Sequence, residues 1–324
     1  MSIAAFLTDL RNRDIQIWSD GDQLRCSAPA GALTPDVRDQ LRLQKAAIVE
    51  FLRTAHAVAE QPRAVVPLQA HGTGVPVFAI PGHNGDVFSF RSLVQHLGAE
   101  RPFYGLQPPG LDGHSEPLES VEALAGYFAG QIREFQPEGS CVIAGYCAGG
   151  VVAYELAQQL QQRGPSVGMV VMFAGAYPHW YRRIPQTWQR VALAVKRVQR
   201  HVRVALTRPL AEVREYVAER AKRLRDRHFE QADPVLALRD QLKQTTARAV
   251  RAYAPASFDG RVCLIYPSRN SVLTGRAMTP WRRHVRHIEE HYGPDGCEGD
   301  VMLLEPHAGP VSEIFRSILS SDPA

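Results

Sequence analysis

Beyond Val75 the sequence alternates short apolar runs with stretches of helical periodicity: VPVFAI (75–80), then FRSLVQHL, PFYGLQ, VEALAGYFAGQIREF, CVIAGY and VVAYELAQQLQQRG, with Gly164 closing that helix before GMVVMFAG. Strands separated by helices of this length pair in parallel through crossovers, because a tight hairpin turn cannot carry a helix. The rhythm predicts an α/β fold on a doubly wound, mostly parallel sheet. It stops after Pro178, gives way to helical, Arg-rich sequence, and resumes with RVCLIYP (261–267) and DVMLLEP (300–306). A helical insertion over about 178–254 is the simplest account.

At ~150 residues per domain, 324 residues allow one full-sized core and a small module beside it. Hydrophobic residues make up 45% and charged residues 22%, a balance that excludes disorder, collagen and coiled coil as descriptions of the whole. No apolar run approaches the ~18 residues of a membrane span, and MSIAAFLTDLRNRD brings in charge too early for a signal peptide. A cytoplasmic protein without membrane contact is therefore expected. The cysteines (Cys26, Cys141, Cys147, Cys263, Cys297) are odd in number and include no Cys-x-x-Cys pair, so neither disulfides nor a cysteine zinc site is expected.

Residues 1–55 read as a separate unit. IAAFLTDLRNRD has helical spacing, IQIWSDGDQLRCSA is a hairpin turning at Asp20-Gly21-Asp22, and Thr34-Pro35-Asp36 opens a second helical stretch with Pro in the first turn. By pattern alone this could equally be a small cap on the larger domain. The wording FLTDLRNRDIQIWSDGDQLRCSAPAGALTPDVRDQLRLQKAAIVEFLR, with its Ala-Pro-x-Gly-x-Leu-Thr segment and final Lys-x-x-Ile-x-x-x-Leu helix, closely resembles the TubC-type N-terminal docking domains of nonribosomal peptide and hybrid polyketide synthetase subunits. The resemblance implies a module that captures the C-terminal tail of an upstream synthetase subunit by adding a strand to the hairpin edge. Residues 56–74, with Pro62, Pro67, Gly72 and Gly74, are expected to be a linker.

The chemistry centres on CVIAGY, which runs into Gly145-Tyr146-Cys147-Ala148-Gly149-Gly150 and then directly into a helix. Gly-x-Cys-x-Gly between strand and helix is the pattern of a nucleophile elbow: the turn lifts Cys147 clear of the sheet, and Gly145 and Gly149 leave room for neighbouring backbone. A helix N-terminus also favours the thiolate. A lone cysteine elsewhere is usually a small buried hydrophobe, and the strand-turn-helix setting is what distinguishes this one.

Ile80-Pro81-Gly82-His83-Asn84-Gly85 follows the first strand, where α/β-hydrolases place the loop that supplies the second oxyanion donor. The backbone N–H groups of His83 and Ala148 are the expected oxyanion hole, and the glycines and His83 also fit an ordinary turn with a loop histidine. His307, in His307-Ala308-Gly309 after DVMLLEP, has the late position of the base in this fold. It would accept the thiol proton and later activate the incoming nucleophile. The orienting acid is missing from both usual places, Phe173-Ala174-Gly175-Ala176 and Ser268-Arg269-Asn270-Ser271. Asn270 is the candidate substitute, since an amide oxygen can hold an imidazole tautomer, and it also fits a simple turn residue. Asp259, in a Phe-Asp-Gly turn, reads as structural.

With these parts assembled, VPVFAIPGHNGDVFSFRSLVQHLG, RPFYGLQPPGLDG, the GYCAGG elbow with VVAYELAQQL, and YAPASFDGRVCLIYPS resemble the type I thioesterase domains of nonribosomal peptide and polyketide assembly lines. The resemblance over residues 75–320 implies an α/β-hydrolase fold with a helical lid. It also implies an acyl or peptidyl chain presented on a carrier protein's phosphopantetheine arm, with no bound cofactor. The chain would pass to Cys147 and on to water, an internal nucleophile, an amine or a second carrier. Cys in place of the commoner Ser, and the absent acid, are departures from that family. Transfer from one thioester to another is nearly isoenergetic, so a Cys intermediate keeps the acyl group activated. Three readings stand: a trans-acting thioesterase, an acyl or aminoacyl transferase between carriers, and a degenerate docking scaffold.

Between Pro178 and Ala254 there are 18 Lys/Arg against 7 Asp/Glu, in a chain whose net charge is only +4. This excess fits an acidic carrier domain and the phosphate of its arm. It equally fits a solvated helical face, and no nucleic-acid motif accompanies it, so no nucleic-acid partner is expected. His284, His287 and His291 share one helical face with Cys297 nearby, but the stretch WRRHVRHIEEHYG is so polar that solvent exposure, not a metal, is expected.

Overall fold

The computed structural model describes residues 3–12, 15–20, 23–28, 32–59, 64–112, 114–162, 164–178, 234–270 and 279–321. The chain divides into two compact units, one containing Met1–Ala57 and the other Val58–Arg183 with Leu238–Ala324. The expected helical insertion lies, for 179–233, outside the described residues.

In the first unit, helix α1 (Ile3–Asn12) precedes the antiparallel hairpin β1 (Gln16–Asp20) and β2 (Gln23–Ser27), and helices α2 (Pro35–Leu43) and α3 (Lys45–Ala59) follow. Asp20 pairs with Gln23, which sets a two-residue connection as the Asp-Gly-Asp sequence predicts. Thr34 caps α2 by accepting the Val37 N–H, and Pro35 occupies the first helical position, where no donor is needed. Phe6, Leu10, Ile15, Ile17, Val37, Ile48 and Leu52 are buried together as a small core of its own.

The second unit is built on a seven-stranded sheet in the order β3-β5-β4-β6-β7-β8-β9. Its strands are β3 (Val65–Gln69), β4 (Val77–Ile80), β5 (Phe103–Leu106), β6 (Ser140–Tyr146), β7 (Ser166–Phe173), β8 (Phe258–Tyr266) and β9 (Val285–Tyr292). All neighbours run parallel except β3, which is antiparallel to β5. Helices α4 (Arg91–Leu97), α5 (Val121–Phe135), α6 (Ala148–Gln162), α7 (Pro234–Ala252) and α8 (Ala308–Ser320) accompany the sheet. Successive strand residues point to opposite faces. Thus Phe78, Ile143, Val170 and Leu264 pack with α5 and α6, whereas Val77, Val142, Val171 and Ile265 pack with α4 and α8. Both faces being covered explains why these strands are continuously apolar rather than alternating.

Three sequence expectations are corrected. Within the expected linker, Val65–Gln69 form edge strand β3; Pro67 does not prevent this because an edge position needs no ladder donor, and the register shifts beside it. The stretch WRRHVRHIEEHYG is not a helix: Val285–Tyr292 form β9, the other edge of the sheet, so its polar residues face solvent where a central strand would be apolar. Residues 300–306 are turns, not a strand, and the run is apolar because Met302 and Leu303 plug the core against α8. A short apolar run does not by itself distinguish a strand from such a plug.

Candidate active site

Strand β4 lies between β5 and β6, so the chain leaves the sheet centre toward opposite sides at this point. Ligand sites of open α/β sheets form in the crevice at such a reversal, beyond the carboxyl ends of the strands. The two loops flanking it are Pro81–Asp86, after β4, and the turn at Cys147, after β6.

Cys147 is held at φ 53°, a left-handed conformation that costs a non-glycine residue about 1–2 kcal/mol. The surroundings impose it. Its N–H donates to Phe173 O at the end of β7 (2.8 Å), and its carbonyl accepts from Gly150 N–H (3.1 Å). A Cβ on Gly145 would overlap the backbone of Gly149, and one on Gly149 would overlap the carbonyl oxygens of Pro81 and Ile80. Both elbow glycines are therefore required by close backbone approach. The thiol is partly exposed, at the start of α6, whose first N–H groups, including that of Ala148, have no acceptor within the helix.

The loop after β4 is equally constrained. Gly85 N–H closes a turn onto Gly82 O (3.1 Å), Gly85 has φ +70°, and a Cβ there would collide with Leu242 of α7 and Leu111. Asp86 caps the following short 3-10 turn by accepting the Phe88 N–H (3.2 Å) and forms a buried ion pair with Arg239 of α7 (3.8 Å). A side chain on Gly82 would begin in contact with the ring of Tyr146, whose hydroxyl donates to Gly299 O (2.5 Å). Burial pushes the Tyr146 phenol far above its ordinary range, so it stays a donor. This framing brings the His83 imidazole to the nucleophile candidate, with Nδ1 3.5 Å from Cys147 Sγ.

His307 is partly buried and stands immediately before α8, its N–H donating to Leu304 O (2.8 Å). Among the described residues its ring makes no hydrogen bond, either to Cys147 or to Asn270. Asn270 is exposed, in a helical turn that follows β8, while Ser271 lies outside the described residues. Asp259 is exposed in β8 and pairs with Arg286 (3.7 Å), a structural contact.

The side-chain contact of His83 with Cys147 and the buried Asp86–Arg239 pair were not foreseen from sequence. The only available signal was the histidine inside Pro-Gly-His-Asn-Gly; nothing local announces that Arg239, 153 positions later, reaches the same loop. The histidine face with Cys297 does not form. Instead, ligand atoms of Cys263, Glu289 and His291 lie within 4.8 Å of one another on β8 and β9. Arg261 takes both oxygens of Glu289 (2.7 and 3.2 Å) and holds its carboxyl below the usual range, so that carboxylate is already committed. No helix among the described residues is long and apolar enough to cross a membrane.

Comparison with known proteins agrees with this fold. The family model described as a thioesterase domain matches residues 75–287, and that of the TubC N-terminal docking domain matches residues 3–54. The chain is 39% identical over 113 residues to polyketide synthase PksR of Bacillus subtilis (strain 168), a match covering 35% of this chain and 4% of that protein. It thus spans only a small part of that relative's length. The thioesterase domain of NocB from the nocardicin cluster superposes with a TM-score of 0.57 at 18% identity, covering 80% of this chain and 99% of that one. The Vlm2 thioesterase domain superposes with a TM-score of 0.54 at 19% identity, covering 78% and 97%. These likenesses establish a shared α/β-hydrolase fold. With a family model spanning most of its length and an N-terminal docking domain ahead of it, the chain belongs to the thioesterase-domain family.

Proposed function

We propose that this chain is a trans-acting thioesterase of a nonribosomal peptide or hybrid polyketide pathway. It takes an acyl or peptidyl chain from a carrier protein's phosphopantetheine thiol onto Cys147 and releases it by hydrolysis, cyclisation or condensation. The observation that carries the reading is a cysteine in a left-handed turn between β6 and α6, with helix amides behind it and an imidazole 3.5 Å from its sulfur. The thiolate attacks the thioester carbon, and the oxygen that becomes negative is received by the N–H groups of His83 and Ala148. The carbon–sulfur bond to the carrier then breaks, leaving the acyl group on Cys147. His307 is the base toward the acceptor that takes the chain away, and Asn270 is the side chain of the β8 loop able to orient it. Residues 1–55 bind the C-terminal tail of an upstream synthetase subunit, for which the two-stranded hairpin β1–β2 is the receiving edge.

The test is to mix the protein with an acyl-carrier thioester and follow intact mass with time. A mass gain mapping to Cys147 supports covalent acyl transfer, and the released product then chooses among hydrolysis, cyclisation and condensation. Neither adduct nor carrier deacylation across several acyl groups would overturn the reading in favour of a docking scaffold. A second reading, transfer between carriers, is favoured by the cysteine itself and by the absence of a carboxylate at Phe173–Ala176, since both suit an intermediate that must stay activated rather than be hydrolysed. Adding a second, empty carrier and finding the acyl group on it would select that reading.

A further inference from the structure

We propose that the imidazole of His83 is the group that takes the proton from Cys147, so that the two halves of the reaction are served by different histidines. The inference rests on the reading of Cys147 as nucleophile. The sequence suggests giving both duties to His307, but the hydrogen bond to the thiol comes from the loop after β4: His83 Nδ1 is 3.5 Å from Sγ, a normal distance for a bond to sulfur, whereas His307 makes none to Cys147.

This placement follows from backbone constraints. Gly149 has no Cβ, so the carbonyl oxygens of Ile80 and Pro81 rest directly on the first turn of α6. A Cβ on Gly82 would just reach the Tyr146 ring (3.5 Å), and the Tyr146 hydroxyl is held by Gly299 O. On the far side, Gly85 is closed under Leu242, and Asp86 is paired with buried Arg239. His83 sits between two fixed points of one short loop, with its ring turned toward the thiol. A nucleophile and a base within hydrogen-bond reach, the base positioned by rigid surroundings, is the arrangement that activates a cysteine.

The proton and electron balance is complete. With neutral His83 protonated on Nε2, Nδ1 accepts the Cys147 proton, giving thiolate and imidazolium. The thiolate forms the new carbon–sulfur bond, the tetrahedral oxyanion collapses, and the departing carrier thiolate recovers the proton from His83 Nδ1. His83 is then neutral again. In the second half the acceptor's proton goes to His307 and on to solvent, the acyl–Cys147 bond breaks, and the Cys147 thiolate takes a proton back from solvent through His83 Nδ1. The N–H of His83 holds the oxyanion while its ring holds the proton, so one residue couples charge development on oxygen to thiol ionisation.

The experiment measures the rate at which iodoacetamide alkylates Cys147 at pH 7, by intact mass and peptide mapping, in the parent protein and in His83→Asn, His83→Ala and His307→Ala. Mapping separates Cys147 from exposed Cys26, while burial pushes Cys141 up to about 12 and Cys297 up to about 11, which keeps both slow. Asn preserves a hydrogen-bonding group near the Nδ1 position but cannot take the proton. Alkylation should fall about tenfold or more in both His83 variants, because an unassisted thiol is only a few per cent ionised at this pH. Free imidazole should restore part of the rate in His83→Ala. His307→Ala should alkylate within about twofold of the parent while losing turnover. Parent-like alkylation of His83→Asn would overturn the inference, as would a loss confined to His307→Ala. The proposed function is read separately: if the His83 effect is found but the parent never acquires an acyl group from a carrier, the pairing stands and the thioesterase assignment falls.

Discussion

The carbonyl oxygen of Pro81 occupies the space in which a side chain on Gly149 would begin, so the root of the loop after β4 and the first turn of α6 meet backbone to backbone. Gly149→Ala must push them apart and carry His83 with them. The expected cost is about 2–3 kcal/mol of stability, the usual scale for overpacking a site that cannot yield. Acyl loading should fall about a hundredfold, since a displacement near 1 Å is enough for that. Gly130→Ala, in the middle of α5 with open space around it, should instead stabilise by about 0.5–1 kcal/mol. Urea unfolding and initial loading rates of the two variants make the comparison, and equal effects would count against the contact.

Cys147 carries backbone strain that serves its position. Replacing it with glycine removes the left-handed penalty and should stabilise the fold by about 1 kcal/mol while abolishing acyl loading. Cys147→Ala should lose loading without gaining stability. Cys147→Ser should shift products toward hydrolysis, because an oxygen ester holds the acyl group at lower energy than a thioester. Product ratios by mass spectrometry check this, and an unchanged partition would contradict the energetic account.

Asp86 and Arg239 are both buried, and Arg239 lies on α7 while Asp86 caps the loop bearing His83. Removing one charge leaves the other inside, which typically costs about 3–5 kcal/mol. Asp86→Asn should therefore unfold at markedly lower denaturant. The double variant Asp86→Asn with Arg239→Met should recover much of the loss. Additive losses in a double-mutant cycle would show that the two side chains act independently.

Glu290 receives Arg282 on both oxygens (3.1 and 2.7 Å) and the Tyr266 hydroxyl (3.1 Å). The Arg282 guanidinium in particular holds its carboxyl below the ordinary 4.5. A carboxylate lowered by folding contributes stability that is fully present above its unfolded value and is lost as pH falls through the folded one. Glu290→Gln should therefore weaken the protein at pH 7, and the difference from the parent should shrink as the pH is lowered below 4.5. Chemical denaturation at pH 7 and in acid tests the sign; a difference that persists in acid would mean that shape, not charge, matters at this position.

The doubly wound sheet was legible in the sequence because its central strands are covered on both faces and their crossover helices are amphipathic, a pattern that local periodicity records. The elbow was legible for a similar reason: Gly145, Cys147 and Gly149 lie within five residues, and the turn they make is a local property of the chain. The N-terminal unit could be read from its capped helix and hairpin turn, whereas its identity as a docking unit came from the resemblance of its wording, since the pattern alone fits a small cap equally well. Edge strands were less legible. β3 contains a proline and β9 is polar throughout, because an edge needs neither a full set of donors nor two apolar faces. The apolar run at Met302 and Leu303 was read as a strand because burial alone leaves the same mark on a plug as on a strand.

What only the tertiary structure decided is which imidazole meets the thiol. His83 precedes Cys147 by 64 positions and His307 follows it by 160, and neither separation carries information about distance in space. The sequence by itself determined a cysteine on a strand-to-helix turn, since that depends on backbone sterics over a few residues. Its partner depends on how closely two loops from neighbouring strands can approach. That approach is set by a glycine packed under a carbonyl, a ring against a loop, and a buried ion pair to a distant helix, contacts that exist only once the sheet has formed.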